Sequence, residues 1–465
     1  MIRRLALAVA FASIAAAIVA ARPQATPGPY LRDFEAYWSA GSAWNAHADP
    51  YGRAIWFSER TVPGVDPTRE ELLPFVGPPA TLLLWSLFAR LPYRTAALVW
   101  TATLAIALLA LAFGCEHASN RRARLLTVLA ALALAISWGP ITSDLALGQL
   151  ALPAFAAAML VVLAGDVTPA YAALAACIAF AQPNASLGLI SQLGRNRTTL
   201  ALAIAAIATY ALGALAAGPG WPLAYARTVA AHASAEGLAA IQFTPAAIAF
   251  GFGATPAAAR AISAIAALIT VAAAIGVAMR VRDRFARFAA FSALVPFVAS
   301  FVHEHDLLVA YAAAAWGALR TSGDARLFAL AGTLLAATDW LGLAQRPSGI
   351  MQSALLALAA FAAFVALGEA GLTRGTLTVA AAFAALFAGM SWLGITHPAP
   401  IWPDALGAYH APASSTAAAV WSAEQHRSGL LAQVPAWAAL RSLSLGGCAL
   451  LAFAICRRPS RCRTA

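Results

Sequence analysis

Apolar runs recur along most of the chain, separated by short polar stretches rich in arginine. They fall at 95–113, 125–139, 149–164, 198–217, 257–279, 287–301, 307–319, 327–344, 351–368, 376–394 and 436–455. An α-helix needs roughly 20 apolar residues to cross the hydrocarbon core of a bilayer. Together with a run at 5–19 behind Arg3 and Arg4, the pattern predicts an all-α, polytopic membrane helix bundle of about 11–13 spanning helices. The first run reads as an anchor that stays attached or, through the small residues near Ala20, as a cleaved leader. Both readings start the N-terminus in the cytoplasm, and the polar segment that follows favours the anchor.

Three segments are too long to be connectors, about 22–94, 218–256 and 395–435, and long loops inside compact folds are usually functional. Within the first, Pro78 to Arg90 is too short to cross but carries Trp85 and a terminal arginine, which predicts a helix lying along the membrane surface. A different irregularity occupies 168–194, where Gln182-Pro183-Asn184 interrupts the apolar pattern. It reads either as a broken pair of half-helices lining a watered cavity or as one kinked span.

Composition narrows the class: 62% of the 465 residues are hydrophobic and 11% charged, too few charges to coat several soluble globules. Residues 1–465 are therefore expected to form a single integral-membrane domain. All thirty basic residues are arginine and the net charge is +11. The arginines cluster where threading from a cytoplasmic N-terminus puts inner loops, at Arg121, Arg122 and Arg124, Arg195 and Arg197, Arg280 to Arg287, and Arg457 onward. That is the positive-inside pattern, so the basic surplus reads as contact with anionic lipid rather than nucleic acid. Absence of lysine and abundance of alanine point to a GC-rich bacterium, hence to a multi-pass protein of the bacterial inner (plasma) membrane. The five cysteines include no CxxC pair and no histidine at zinc-ligand spacing.

Candidate chemistry concentrates in the first extracytoplasmic loop, 22–94, which holds seven of the nineteen acidic residues. Asp33 stands beside Tyr37, Trp38 and Trp44 shortly after the first membrane exit, where a lipid-linked substrate presents its headgroup. The bland alternative is a helix-capping aspartate followed by an aromatic belt.

Asp33-Phe34 leading to Tyr37-Trp38, then Asp49-Pro50-Tyr51, the Pro78-Pro79 helix, Gly148-Gln149 opening a span and the interrupted Gln182-Pro183 helix occur in that order. Together they resemble glycosyltransferase family 87, whose members include bacterial polyprenol-phosphate mannosyltransferases and arabinofuranosyltransferases. The resemblance covers about 30–200 by motif and the remainder by hydropathy. Gly77 stands where tyrosine often precedes the double proline, Gln182 where lysine often precedes the proline, and Leu150 or Ala151 where asparagine often follows Gly-Gln. These departures leave the sugar unspecified.

The resemblance implies a GT-C-like bundle that takes a sugar from a polyprenyl-phosphate donor and transfers it, with inversion, to a glycolipid or glycan acceptor outside the cytoplasm. Asp33 matches the catalytic base, and no tightly bound cofactor is implied. The leaving phosphate needs a cationic receiver. His303-Glu304-His305-Asp306, at the outer boundary between two apolar runs, offers His305 and then His303. The same four residues also read as a structural polar turn, or as a metal site through His-x-His and Asp306. Tyr37 and Trp38 are candidate substrate contacts beside the base, and Gln182 and Asn184 if the broken helix lines the cavity. Among the outer arginines Arg32, Arg90, Arg94 and Arg227, Arg94 is the candidate phosphate clamp, with headgroup snorkelling as its bland reading. Asp144 reads as a loop residue. A second function class, a transporter or flippase for a lipid-linked sugar, draws on the broken helix; a catalytically inactive scaffold is the third.

Overall fold

The computed structural model describes residues 31–65, 73–119, 138–164, 168–321, 323–337 and 414–457, with short stretches inside 128–135 and 385–412. Among the described residues it is all helical, as the apolar periodicity predicts. The α-helices are α1 (Phe34–Asn45), α2 (Ile55–Glu59), α3 (Leu82–Phe88), α4 (Tyr93–Ser119), α5 (Gly139–Leu147), α6 (Ala151–Ala164), α7 (Pro169–Phe180) and α8 (Pro183–Ser186). They continue with α9 (Asn196–Ala217), α10 (Trp221–Glu236), α11 (Pro245–Gly251), α12 (Pro256–Arg280), α13 (Arg284–Leu294), α14 (Tyr311–Arg320), α15 (Gly323–Ala337), α16 (Ala417–Arg427) and α17 (Pro435–Cys456).

Helix starts follow the local sequence. Thr244-Pro245 and Thr255-Pro256 open α11 and α12, each threonine hydroxyl accepting from the backbone N–H three residues on, while proline fills the first helical position. Asp283 and Thr416 cap α13 and α16 in the same way. Four described helices, α4, α9, α12 and α17, are long and apolar enough to cross a membrane. Along α12 the side chains of Ile265, Leu268 and Ile269 are exposed. Such a continuous apolar exterior is what lipid, rather than water, accepts. The chain is therefore a polytopic helical membrane protein. The expected runs at 5–19 and 351–368, most of those at 125–139 and 376–394, and the end of that at 327–344 lie outside the described residues.

Two apolar clusters organise the bundle. One joins Trp138, Phe155, Phe288 and Tyr311 through its middle, and the other gathers Phe34, Trp85, Tyr93 and Trp100 at one end. In the second cluster Phe34 stacks on Trp100, with 5.8 Å between ring centroids, and meets Trp85 edge-on. Trp85 is fully buried, so this tryptophan is a core residue of α3 and not the membrane-surface anchor that its local sequence suggests. Asp144 also departs from expectation: it lies within α5 and is fully buried. Two outer segments read only as long loops contain helices, α10 and α11 in one and α16 in the other.

α1 and α3 approach at Gly41, where an added Cβ would overlap the Trp85 carbonyl and the Ser86 nitrogen. Gly41→Ala is expected to push the two helices apart, lowering stability by about 1–3 kcal/mol and the thermal midpoint by several degrees in a melting assay on detergent-solubilised protein. An unchanged midpoint would show that the crossing is not tightly packed.

Candidate functional site

The start of α1 is fixed by segments remote in the chain. Leu31 adopts φ +59°, uncommon for a branched residue, and its carbonyl accepts from the Tyr93 hydroxyl at 3.0 Å. Asp33 follows, its N–H donating to the Leu147 carbonyl at 2.9 Å. Its side chain makes no capping hydrogen bond, which removes the helix-cap reading. Instead Asp33 Oδ2 accepts from Gln149 Nε2 at 2.5 Å, and Gln149 Oε1 accepts from the Tyr37 hydroxyl.

One amide thus bridges the carboxylate and a phenol one turn along α1. Gln149 reaches them because Gly148 ends α5 in a left-handed conformation, φ +76°, where a Cβ would come within 2.8 Å of Leu31. The Gly148 carbonyl is held in turn by Trp100 Nε1 at 2.7 Å. Tyr37 stacks on Trp85, 4.8 Å between centroids and 9° between planes. Burial, with Asp33 and Asp144 nearby, pushes the Tyr37 phenol well above its usual range, so the hydroxyl stays protonated and donates. Asp144 accepts from the Leu152 N–H at 3.0 Å, and burial raises its carboxyl well above the usual range.

A second polar wall comes from the irregular chain around Val302 to Asp306 and from the break between α7 and α8. Pro183 removes a backbone donor, and the adjoining side chains turn outward: Gln182 Nε2 donates to Asp306 Oδ1 at 3.3 Å and Asn184 Nδ2 to the Phe301 carbonyl at 3.2 Å. Asp306 Oδ2 accepts the His303 N–H at 3.0 Å. The His303 and His305 rings stack, 5.4 Å between centroids and 14° between planes. Behind them, Glu236 at the end of α10 places Oε2 3.5 Å from His303 Nε2 and accepts from Trp421 Nε1 at 2.7 Å.

The two walls face a cavity of about 1070 Å³. Asp33, Tyr37, Gln182, Asn184, His303 and His305, all candidates from sequence, line it together. Trp38 and Arg94 do not. Trp38 donates to the Leu91 carbonyl at 3.1 Å, and Arg94 is exposed at the start of α4. Of the outer arginines named above, Arg32 alone reaches the wall among the described residues. Sequence reasoning missed Glu236, His232 and Trp421, which also line the cavity, and gave Gln149 no role beyond a motif position. The buried Glu236 carboxylate, in an outer segment poor in acids, was the available signal.

His303, His305 and Asp306 each present a donor atom within 4.8 Å of the others. A metal ion takes imidazole lone pairs in the ring planes at about 2.0–2.1 Å. With the rings stacked, one of them must turn before both point at a common centre. Asp306 is already engaged by Gln182 and the His303 backbone, so the arrangement as it stands is a hydrogen-bonded polar cluster rather than a preformed ion cage.

Removing the bridging amide tests the Asp33 wall. Gln149→Leu removes the acceptor of the half-buried Tyr37 hydroxyl and is expected to cost about 1–3 kcal/mol. Tyr37→Phe alone should cost less, and in the double variant the two losses should not add. Thermal melts of the three proteins measure this, and full additivity would mean that the bridge is not formed.

No curated protein and no solved structure compared with the chain matches it. Residues 75–303 match glycosyltransferase family 87, and by that match the chain belongs to glycosyltransferase family 87.

Proposed function

We propose that the protein transfers a glycosyl unit from a polyprenyl-phosphate sugar to a glycolipid or glycan acceptor on the extracytoplasmic side of a bacterial inner membrane, with inversion and with Asp33 as base. Membership in a glycosyltransferase family supports the reaction class. The observation that carries the finer reading is the placement of Asp33 on one wall of a large cavity with His303 and His305 on its other polar wall.

In this reaction the acceptor hydroxyl oxygen attacks the anomeric carbon from the face opposite the phosphate. A new C–O bond forms as the bond from anomeric carbon to phosphate oxygen breaks, and the electron pair leaves with the polyprenyl phosphate. The hydroxyl proton passes to Asp33. No covalent enzyme intermediate is needed. Negative charge gathering on the departing phosphate is met by the histidine wall, His305 contributing a hydrogen bond and His303 a charge. Gln182 and Asn184 flank that wall and are placed to contact the sugar or the phosphate.

Translocation of a lipid-linked sugar is the second reading, favoured by the break between α7 and α8, whose Gln182, Pro183 and Asn184 line the cavity. Reconstituted vesicles loaded with radiolabelled polyprenyl-phosphate sugars separate the two. Asp33→Asn keeps the size and the Gln149 contact but removes the base, so transfer should fall by about 10²–10⁴-fold while donor binding persists. Transfer at the wild-type rate would remove Asp33 as base. Label that crosses the bilayer without transfer would favour translocation.

A further inference from the structure

Glu236 has no role in the reaction as described, yet its carboxylate is buried beside His303 in the cavity wall. Its side chain is 6% exposed and that of His303 26% exposed; both residues line the cavity, and the imidazole is the more open of the two. We propose that Glu236 is a positioning residue that holds His303 toward the cavity as the cation receiving the donor's phosphate. The inference rests on the phosphate-site reading above and adds the group that makes it work.

The geometry supports this from three elements. α10 supplies Glu236, α16 fixes its Oε2 through Trp421 Nε1 at 2.7 Å, and His303 Nε2 stands 3.5 Å from that same oxygen. A carboxylate taken out of water requires a counter-charge or strong donors, and an indole N–H alone supplies one neutral hydrogen bond. The other cations of the wall are differently engaged. Arg441 is 2% exposed, donates to the Ala240 carbonyl at 3.1 Å and lies over the Phe243 ring. Arg260 is exposed near the start of α12, and Arg32 adjoins Asp33 in sequence.

Opposing groups surround the imidazole. Gln242 Oε1 accepts the Val302 N–H at 2.6 Å, which turns its Nε2 toward His303 Nε2 at 3.0 Å and favours a neutral ring there. Burial also disfavours charge on His303. Against both stand Glu236, Asp306 and Asp33, whose combined attraction carries His303 up to about 9. Burial works to raise the Glu236 carboxyl, but His303, Trp421 and His232 bring it below its usual range. His305 moves the other way, lowered by burial and by its charged neighbour. One histidine is therefore charged at neutral pH and the one stacked on it is neutral. His303 keeps its proton below about 9 and loses it as the pH rises through that value. Without Glu236, Asp306 and Asp33 remain but burial and the Gln242 amide oppose them, so the proton is lost at a lower pH.

The test is binding of sugar-free undecaprenyl phosphate to the full-length protein in nanodiscs, followed from pH 6 to 10. The second ionisation of the phosphate, near pH 6, is common to all variants. Wild type should bind with little change to about pH 8 and weaken as the pH passes about 9. In Glu236→Gln the loss should begin at a lower pH than in wild type, leaving binding on the order of tenfold weaker at pH 8. Glu236→Asp should retain part of the upper limb, and adding His303→Lys to Glu236→Gln should restore binding at pH 8. Should Glu236→Gln fail to fold, His303→Lys alone must move the alkaline loss upward, and an unmoved limb overturns the proposal. The same pH dependence in wild type and Glu236→Gln overturns the role of Glu236 while leaving the donor-phosphate reading intact. Absence of binding by wild type at every pH overturns that reading, and this inference with it.

Discussion

One neutral amide, Gln149, decides where the carboxylate of Asp33 stands. Its two ends face two groups that each need a partner: a carboxylate that must accept and a half-buried phenol that donates. An amide is the side chain that satisfies both at once. Gln149 in turn is placed by the left-handed turn at Gly148, and that turn is held by Trp100 from α4. Four segments, the α1 start, the α3 aromatic face, α4 and the α5–α6 junction, therefore converge on a single oxygen atom. The aromatic cluster of Phe34, Trp85 and Trp100 provides the dispersion and area burial that make this convergence rigid.

The opposite wall answers to the same constraint, since polar groups in an apolar bundle must satisfy one another. Interrupting the chain at Pro183 and unwinding it around Val302 to Asp306 frees backbone groups, and side chains from the partner segment take them up. Asn184 caps the Phe301 carbonyl while Gln182 holds Asp306. Neither irregular stretch would be stable facing lipid, and together they open a polar surface toward a cavity.

Much of this was legible in the chain. Ionisable residues at the ends of apolar runs are costly unless used, which singled out Asp33 and the His303 to Asp306 turn; the proline between Gln182 and Asn184 marked the break. Other features escaped because hydropathy reports spans and periodicity, not pairings across more than a hundred residues. Asp33 meets Gln149 and Glu236 meets His303 only in the fold. Trp85 carries the local composition of a membrane-surface anchor, yet α3 buries it against α1 and Tyr37. Trp38 and Arg94 sit at sequence positions that suit substrate contact, but α1 turns Trp38 toward Leu91 and the start of α4 leaves Arg94 exposed. Helix α10 went unread because its segment lacks the hydropathy of a span and the acids of the first loop.

The division of partners between the two walls bears directly on the proposed chemistry. A carboxylate paired with a cation is a weaker base, and a cation paired with the base is not available to a phosphate. The fold gives Asp33 a neutral amide and gives His303 a buried carboxylate, Glu236. Asp33 and His303 can then line one cavity with each held by a partner of its own. A proton acceptor and a phosphate receiver require that separation when they act on opposite faces of the same anomeric carbon.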